Sequence, residues 1–168
     1  LFFAINFTLL CLSTMSAAVS TLSDDVNILP TDAKLEEVFG EALSTEGAAE
    51  APDGIVYFSD FTFTSESGMK AGHIWKYDPK TGKTTIFRSP SGMSNAIKFD
   101  AQGRLIIAEG AAFGERRVVR TDMKTGKSEI IAGLYEGRPF NAPNDITIDE
   151  KGRIYFSDPR YLGNEPLH

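Results

Sequence analysis

The sequence predicts an all-β protein, specifically a β-propeller whose blades are small antiparallel sheets of four strands. Two observations carry this prediction: a gapless repeat of 49 residues, and a hairpin repeat that lies between its copies. The composition agrees, since fifteen Gly, eight Pro and 11% aromatic residues favour short strands and turns over long helices. With 42% apolar and 24% charged residues, the composition is that of a folded domain.

The 49-residue repeat predicts a pair of strands in each copy. Gly54, Gly103 and Gly152 coincide, at a turn that requires a positive φ. Apolar residues follow each glycine, and an acidic residue closes each run. Period-2 alternation before the glycine marks a second strand. The aligned segments are EGAAEAPDGIVYFSD (46–60), NAIKFDAQGRLIIAE (95–109) and NDITIDEKGRIYFSD (144–158).

The second repeat predicts a hairpin between these strand pairs. HIWKYDPKTGKTTIF (73–87) resembles RVVRTDMKTGKSEII (117–131), with two short strands flanking a Lys-Thr-Gly turn. One unit is thus four strands, which is one propeller blade. A closed propeller needs roughly 4–8 blades, and this chain holds about two and a half. We therefore expect it to be a fragment that leaves sheet edges exposed.

The first part of the chain predicts export. Residues 1–12 are apolar apart from Asn6 and Thr8, and small residues follow, which is typical of a signal peptide over 1–20. Residues 21–43 are interpreted as a linker that includes an opening strand, and 44–168 as the partial propeller. We expect a secreted or periplasmic protein without stable membrane association after the leader is cleaved, an uncleaved anchor being the alternative.

The charge and the cysteine count exclude several classes of function. The net charge is -6 and no charged residue precedes Asp24, so the folded part is acidic and unsuited to nucleic acid. The single cysteine, Cys11, lies in the predicted leader, so the mature chain has no disulfide framework or thiolate metal site.

Three polar residues occupy one repeat position and predict a cation site. Glu46, Asn95 and Asn144 begin the three aligned segments, and equivalent positions of successive blades form a ring around the propeller axis. Carboxylate and amide oxygens suit a hard cation, above all Ca²⁺. The alternative is that these side chains cap loops or satisfy backbone groups.

Several segments also resemble the family of gluconolactonase, regucalcin and the luciferin-regenerating enzyme. The resemblance rests on TEGAAEAPDGIVYFSD (45–60), SNAIKFDAQGRLIIAEG (94–110) and, most specifically, FNAPNDITIDEKGRIYFSDPRY (140–161). It covers the chain from about Leu43 onward. It implies a six-bladed β-propeller with one divalent cation on its axis, Ca²⁺ first, with Zn²⁺, Mg²⁺ and Mn²⁺ as other candidates.

The resemblance also implies roles for individual residues. Glu46 and Asn144 match metal ligands, and Asn95 is carried over as a channel-lining residue. Asn141 is expected to touch substrate. Further metal ligands and the catalytic base would lie beyond His168, so no catalytic residue is assigned within this chain.

Two neighbouring residues have less specific roles. Arg138 lies on the same loop as Asn141, where it either meets substrate or is simply solvated. Asp145 lies just behind the metal ligands, where it either accepts a hydrogen bond from them or serves as a turn residue.

The implied function is metal-dependent hydrolysis of a sugar lactone or a similar small ester. An axial cation would polarise the lactone carbonyl and activate water. No Gly-x-Ser-x-Gly nucleophile motif occurs in the chain. The alternatives are a phosphotriesterase- or arylesterase-like hydrolase, and a propeller without enzymatic activity that binds a ligand or a protein. The isolated fragment is expected to be inactive.

Overall fold

The computed structural model describes residues 30, 32–61, 63–64, 69–70, 72–111 and 114–160. The chain divides into two compact units, Leu1–Glu37 and Val38–His168. The described residues of the first unit contain a turn, in which Ala33 N–H donates to the Pro30 carbonyl at 3.0 Å, and no strand. The predicted signal peptide lies outside the described residues.

The second unit is all-β, as the sequence predicted. No α-helix occurs in the described ranges, and none of the described segments forms a helix with the length and hydropathy of a membrane span. In chain order the first strands are β1 (Thr45–Glu50), β2 (Val56–Asp60), β3 (Phe63–Thr64), β4 (Met69–Lys70), β5 (His73–Asp78) and β6 (Lys83–Arg88). The others are β7 (Ile97–Phe99), β8 (Leu105–Glu109), β9 (Arg117–Thr121), β10 (Ser128–Ala132), β11 (Leu134–Tyr135), β12 (Arg138–Pro139), β13 (Ile146–Ile148) and β14 (Ile154–Phe156).

The longer strands form two four-stranded antiparallel sheets and a third sheet of two described strands. Sheet 1 has the order β1-β2-β5-β6, and sheet 2 has the equivalent order β7-β8-β9-β10. In the third sheet β13 pairs with β14. The first two repeat units are therefore the four-stranded units that the sequence predicted. Two small hairpins, β3–β4 and β11–β12, were not predicted; they lie in the connections that follow β2 and β10.

Aspartates fix the turns of the hairpins. Asp100 accepts hydrogen bonds from the backbone N–H of Gln102 and Arg104, and Asp149 repeats this pattern one unit later with Lys151 and Arg153. The Arg153 N–H, as the main cause, holds the pKa of Asp149 below its usual value. The glycines predicted to take a positive φ at these turns do so, at 86° for Gly54, 72° for Gly103 and 76° for Gly152.

Strand β8 lies between two apolar layers. Leu105 and Ile107 belong to a cluster shared with sheet 1, and Ile106 and Ala108 to one shared with the third sheet; all four side chains are fully buried. The members of the first cluster are Ala51, Tyr57, Ile74, Ile97, Leu105, Ile107 and Val119. Those of the second are Ala96, Ile106, Ala108, Val118 and Ile146. A strand covered on both faces needs a continuous apolar run instead of alternation, which explains Leu-Ile-Ile-Ala.

The other face of sheet 1 is aromatic. Phe39 packs on Trp75 and Phe58, with ring centroids 4.8 and 5.9 Å away. A cavity of about 460 Å³ opens beside them and is also lined by Val56 and Tyr77. Part of the apolar surface of sheet 1 is therefore covered by the segment that precedes β1.

Candidate functional site

The three aligned polar residues, Glu46, Asn95 and Asn144, occupy equivalent places in the structure. Glu46 lies opposite Ser59 in the β1–β2 pair. Asn95 N–H donates to the Ala108 carbonyl at 2.8 Å, and Asn144 N–H to the Ser157 carbonyl at 2.9 Å. Each residue thus lies where the first strand of its sheet begins, beside the end of the second strand. We call Glu46, Asn95 and Asn144 the aligned trio.

The main chains of the aligned trio adjoin one another. A Cβ atom placed on Gly47, the residue after Glu46, would lie 2.2 Å from the Asn95 carbonyl oxygen. Ala96, the residue after Asn95, donates its N–H to the Asn144 carbonyl at 3.0 Å. The structure therefore places the three positions side by side at one end of the sheets, as a ring arrangement requires.

The side chains of the aligned trio have unused oxygen atoms. Glu46 is exposed, Asn144 is half-buried and Asn95 is 7% exposed. Within the described part of the chain, no residue forms a hydrogen bond or an ion pair with these three side chains. The alternative that they cap loops or satisfy backbone groups therefore finds no support among the described contacts.

Asn141 is held by Asp158 with its side-chain oxygen left over. Its backbone N–H and its Nδ2 donate to Asp158 Oδ2 at 2.9 and 3.1 Å, and Ala142 N–H donates to Oδ1 at 2.7 Å. Because the carboxylate takes the amide N–H, the orientation of the amide is fixed. Asn141 Oδ1 is buried and has no donor among the described residues. An unsatisfied buried acceptor of this kind calls for a ligand, an ion or a water.

Arg138 and Asp145 are both exposed. Arg138 lies in the β11–β12 hairpin opposite Tyr135. Asp145 Oδ1 accepts the N–H of Ile146 at 2.8 Å, and its own N–H donates to Ser157 Oγ at 3.0 Å. These bonds are those of a turn residue, one of the two roles considered for Asp145. A contact of Arg138 with substrate stays a prediction.

The repeated acid that closes each aligned segment has a structural role that the sequence did not reveal. Asp60 accepts the N–H of Leu43 and Ser44 at 3.0 Å each and the indole N–H of Trp75 at 3.0 Å. Asp158 binds the equivalent main chain in the third sheet, as described above. Both acids fix the segment that leads into the first strand of their sheet. The sequence signal for them was the alignment of the three acids.

Glu109, the equivalent acid in sheet 2, is bound differently. It is 3% exposed and pairs with Arg117 Nε at 2.6 Å and with Arg88 Nη1 at 3.5 Å. Burial raises the pKa of Glu109 even though both arginines act to lower it. Loss of hydration is thus the larger effect at this carboxylate.

The donor set of the aligned trio suits a hard cation. Among the described residues, no group of three or more His, Cys, Asp or Glu side chains comes together. Within that part of the chain the trio instead offers one carboxylate and two amides without other partners, and Asn141, three residues before Asn144, adds an amide oxygen without a described donor. Ca²⁺ takes carboxylate and amide oxygens as ligands, and Mg²⁺ and Mn²⁺ also accept oxygen donors. The residues present therefore fit the divalent cation that the family resemblance implies.

Comparison with curated proteins identifies a lactonase relative. The chain is 29% identical over 122 residues to the gluconolactonase of Zymomonas mobilis subsp. mobilis, an alignment that covers 65% of this chain and 33% of that protein. The chain thus spans about a third of the length of this curated relative.

Solved structures give the same result. The gluconolactonase of Xanthomonas campestris aligns with a TM-score of 0.61 and 25% identity, over 73% of this chain and 37% of that one. Another structure, of a protein assigned as a gluconolactonase, aligns with a TM-score of 0.64 and 29% identity, over 77% of this chain and 41% of that one. The sequence model of the family described as the SMP-30/gluconolactonase/LRE-like region matches residues 45–167 of this chain. The chain therefore belongs to the SMP-30/gluconolactonase/LRE-like family.

Proposed function

We propose that the full-length protein hydrolyses a sugar lactone or a similar small ester at the aligned trio. The observation that carries this proposal is the trio itself: Glu46, Asn95 and Asn144 adjoin at one end of the sheets, and their side chains have no described partners. The relatives named gluconolactonase supply the substrate class. The sheets would then be successive blades of a six-bladed propeller, with the trio facing its axis.

Glu46 and Asn144 are the proposed ligands of a divalent cation, with Ca²⁺ as the first candidate. A cation bound there would polarise the lactone carbonyl and lower the pKa of a water molecule. Glu46 supplies the negative charge that holds it, and Asn144 supplies an uncharged oxygen. Amides do not take up a proton near neutral pH, so the asparagines of the trio cannot serve as the general base. We assign no general base within this chain.

Asn95 and Asn141 are the proposed substrate contacts. The Asn95 amide has both a donor and an acceptor for the hydroxyl groups of a sugar lactone. Asn141 is oriented by Asp158 so that its oxygen alone is left to accept a hydrogen bond. Arg138, exposed on the β11–β12 hairpin, would meet polar groups of the substrate that extend beyond the site.

Export is part of the same proposal. Residues 1–20 have the pattern of a signal peptide, which would place the enzyme outside the cytoplasm, in the periplasm or the medium. Its substrate would be a small molecule, as the names of the gluconolactonase relatives suggest.

The experiment that tests this function compares Glu46→Gln with Glu50→Gln in the full-length protein. Both glutamates are exposed on β1, but only Glu46 belongs to the aligned trio. Hydrolysis of gluconolactone, corrected for spontaneous opening, is measured before and after EDTA and after Ca²⁺ is restored. We expect EDTA to abolish activity and Ca²⁺ to restore it. Glu46→Gln should lower Ca²⁺ affinity by at least about tenfold, and Glu50→Gln should change it little.

Other outcomes would redirect the assignment. Ca²⁺ binding without turnover of gluconolactone would keep the site but point to other esters or to phosphotriesters. Absence of cation binding in the unmodified protein would contradict the proposed site and favour a propeller that binds a ligand or a protein without catalysis.

A further inference from the structure

A pair of buried hydroxyl groups joins sheet 1 to sheet 2 beside the aligned trio. Ser59 Oγ, on β2, donates a hydrogen bond to Ser94 Oγ, in the segment that leads into β7, at 2.8 Å. Both serines are 0% exposed. Most hydroxyl groups in proteins have access to water, so a hydroxyl pair sealed between two apolar sheets needs an explanation.

Each serine is one step from a member of the trio. Ser59 lies directly opposite Glu46 in the β1–β2 pair, where the Cβ atoms of opposed residues are roughly 5 Å apart. Ser94 immediately precedes Asn95. The hydroxyl bond therefore connects the neighbours of two trio residues across the junction between the sheets.

Ser94 is itself fixed in place. Its backbone N–H donates to Ser91 Oγ at 3.2 Å, and Ser91 is 1% exposed. The Asn95 N–H is meanwhile bonded to the Ala108 carbonyl of β8. The segment Ser91–Asn95 is thus attached to its own sheet, and the Ser59 hydroxyl attaches it to the neighbouring sheet.

The next junction between sheets has no such hydroxyl pair. The residues equivalent to Ser59 and Ser94, one repeat later, are Ala108 and Pro143, which have no hydroxyl. There the backbone makes the link, through Ala96 N–H and the Asn144 carbonyl at 3.0 Å. A side-chain hydrogen bond, Ser59–Ser94, therefore lies between the sheets that carry Glu46 and Asn95. A backbone hydrogen bond, Ala96–Asn144, lies between the sheets that carry Asn95 and Asn144.

We propose that Ser59 and Ser94 are positioning residues that fix Glu46 relative to sheet 2. Because Ala96 of sheet 2 is bonded in turn to the Asn144 carbonyl, they help to set the separation between the two proposed ligands, Glu46 and Asn144, and through it the affinity for a divalent cation. This inference rests on the proposed function. Loss of either hydroxyl leaves the apolar cluster and the Arg88–Glu109 pair to hold the two sheets together, but removes the side-chain bond beside Glu46 and so allows a local shift there. Residues that orient metal ligands typically contribute about 10- to 100-fold to metal affinity.

The test uses Ser59→Ala, Ser94→Ala and a matched control in the full-length protein. The control is Thr121→Val, because Thr121 is 1% exposed and its Oγ1 shares a hydrogen bond with Oγ of the exposed Ser128 at 2.8 Å, so this variant also removes one buried hydroxyl group. Thr121 pairs with Leu105 at the opposite end of sheet 2, far from the trio. Calcium affinity is measured by titration calorimetry on protein stripped of metal, and Tm is measured without metal.

We expect all three variants to lower Tm, because each removes the hydrogen bond of a buried hydroxyl group. Only Ser59→Ala and Ser94→Ala should weaken Ca²⁺ binding, by roughly tenfold or more. The double variant should have the same Ca²⁺ affinity as whichever single serine variant binds Ca²⁺ less tightly, because both hydroxyls act through one hydrogen bond. If Ser59→Ala does not fold, Ser94→Ala alone gives the decisive comparison with Thr121→Val.

The failures of the two proposals can be told apart. If the unmodified protein binds Ca²⁺ and both serine variants bind it as Thr121→Val does, the positioning role is wrong and the proposed function stands. If the unmodified protein does not bind Ca²⁺, both proposals fall together.

Discussion

Gly47 shows how one residue both permits a close approach and brings two members of the trio together. Its φ is 56°, and a Cβ atom there would lie 2.2 Å from the Asn95 carbonyl oxygen and 2.6 Å from Ala96 Cα. These neighbours are backbone atoms, so they cannot turn aside as a flexible side chain can. The position therefore requires glycine both for its conformation and for the space around it.

We expect Gly47→Ala to destabilise the protein much more than Gly126→Ala. Gly126 has a φ of 71°, with nothing within 4 Å of an added Cβ, so only the conformational penalty of about 1–2 kcal/mol applies there. At Gly47 the backbone of Asn95 must also move, which should weaken Ca²⁺ binding in the full-length protein. Thermal unfolding and calcium titration of both variants check this. Equal losses of stability would show that the contact with Asn95 is relieved without cost.

The candidate site could be predicted in part from single residues. The repeat aligned Glu46, Asn95 and Asn144, and the structure confirms that their positions are equivalent. The role of Asp158 could not be predicted, because it depends on hydrogen bonds to residues 16 and 17 positions earlier in the chain. Cation binding by Glu46 and Asn144 depends on where their side-chain oxygen atoms lie relative to one another. A sequence repeat does not give those positions, so the assignment stays a prediction.

At the scale of the elements, the strands differ in how many of their side chains are buried. In β8 every side chain is buried, whereas β10 begins with three exposed residues. This difference follows from the sheet order, because β8 is an inner strand of sheet 2 and β10 lies at its edge. An inner strand should therefore determine stability, and an edge strand should tolerate substitution.

Ile106→Ala should lower the free energy of unfolding by about 2–4 kcal/mol, because it leaves a cavity in the cluster between sheet 2 and the third sheet. Ile130→Ala is the control: Ile130 is on β10 and is 58% exposed, so its loss should cost less than about 1 kcal/mol. Denaturant unfolding of both variants gives the comparison. Similar losses would mean that the edge of sheet 2 is covered in the full-length protein.

The sequence predicted those strands that have three or more residues and that recur in the next repeat unit. The strand pairs and the Lys-Thr-Gly hairpins were predicted because period-2 alternation and turn residues recur in register. The hairpins β3–β4 and β11–β12 have two residues per strand, too few to show a period. The bulge in β1 between Glu46 and Ala49 was also missed; it includes Gly47, whose close approach to Asn95, 48 residues away in sequence, is a long-range contact that a local pattern does not show.

At the scale of the whole molecule, the junction between sheets 1 and 2 combines an apolar cluster with a buried charge network. Arg88 reaches Glu109 from β6 of sheet 1, and Arg117 reaches it within sheet 2. Their side chains are 22% and 33% exposed, against 4% for Glu109. The carboxylate thus loses more hydration than the arginines do, which accounts for the direction of its pKa shift.

This network predicts how stability depends on pH. Burial raises the pKa of Glu109 above its ordinary value of 4.5, so the folded state holds this proton more tightly than the unfolded chain. The stability that the group contributes is present below pH 4.5 and is lost as the pH rises through the raised pKa. The groups around Glu109 that set this balance are Arg117, Arg88 and Glu115.

Comparison of the unmodified protein with Glu109→Gln isolates this contribution. Asp78, Asp122 and Asp149 have lowered pKa values and give the opposite dependence, but they are present in both proteins and cancel in the difference. The Tm of the unmodified protein minus that of Glu109→Gln should be largest near pH 4 and should fall toward pH 8. Glu129→Gln, at an exposed glutamate that pairs with Arg120, controls for the loss of one negative charge in the same sheet. A difference that rises with pH instead would show that Arg88 and Arg117 outweigh the cost of burial, and that the junction is held together by the ionised carboxylate.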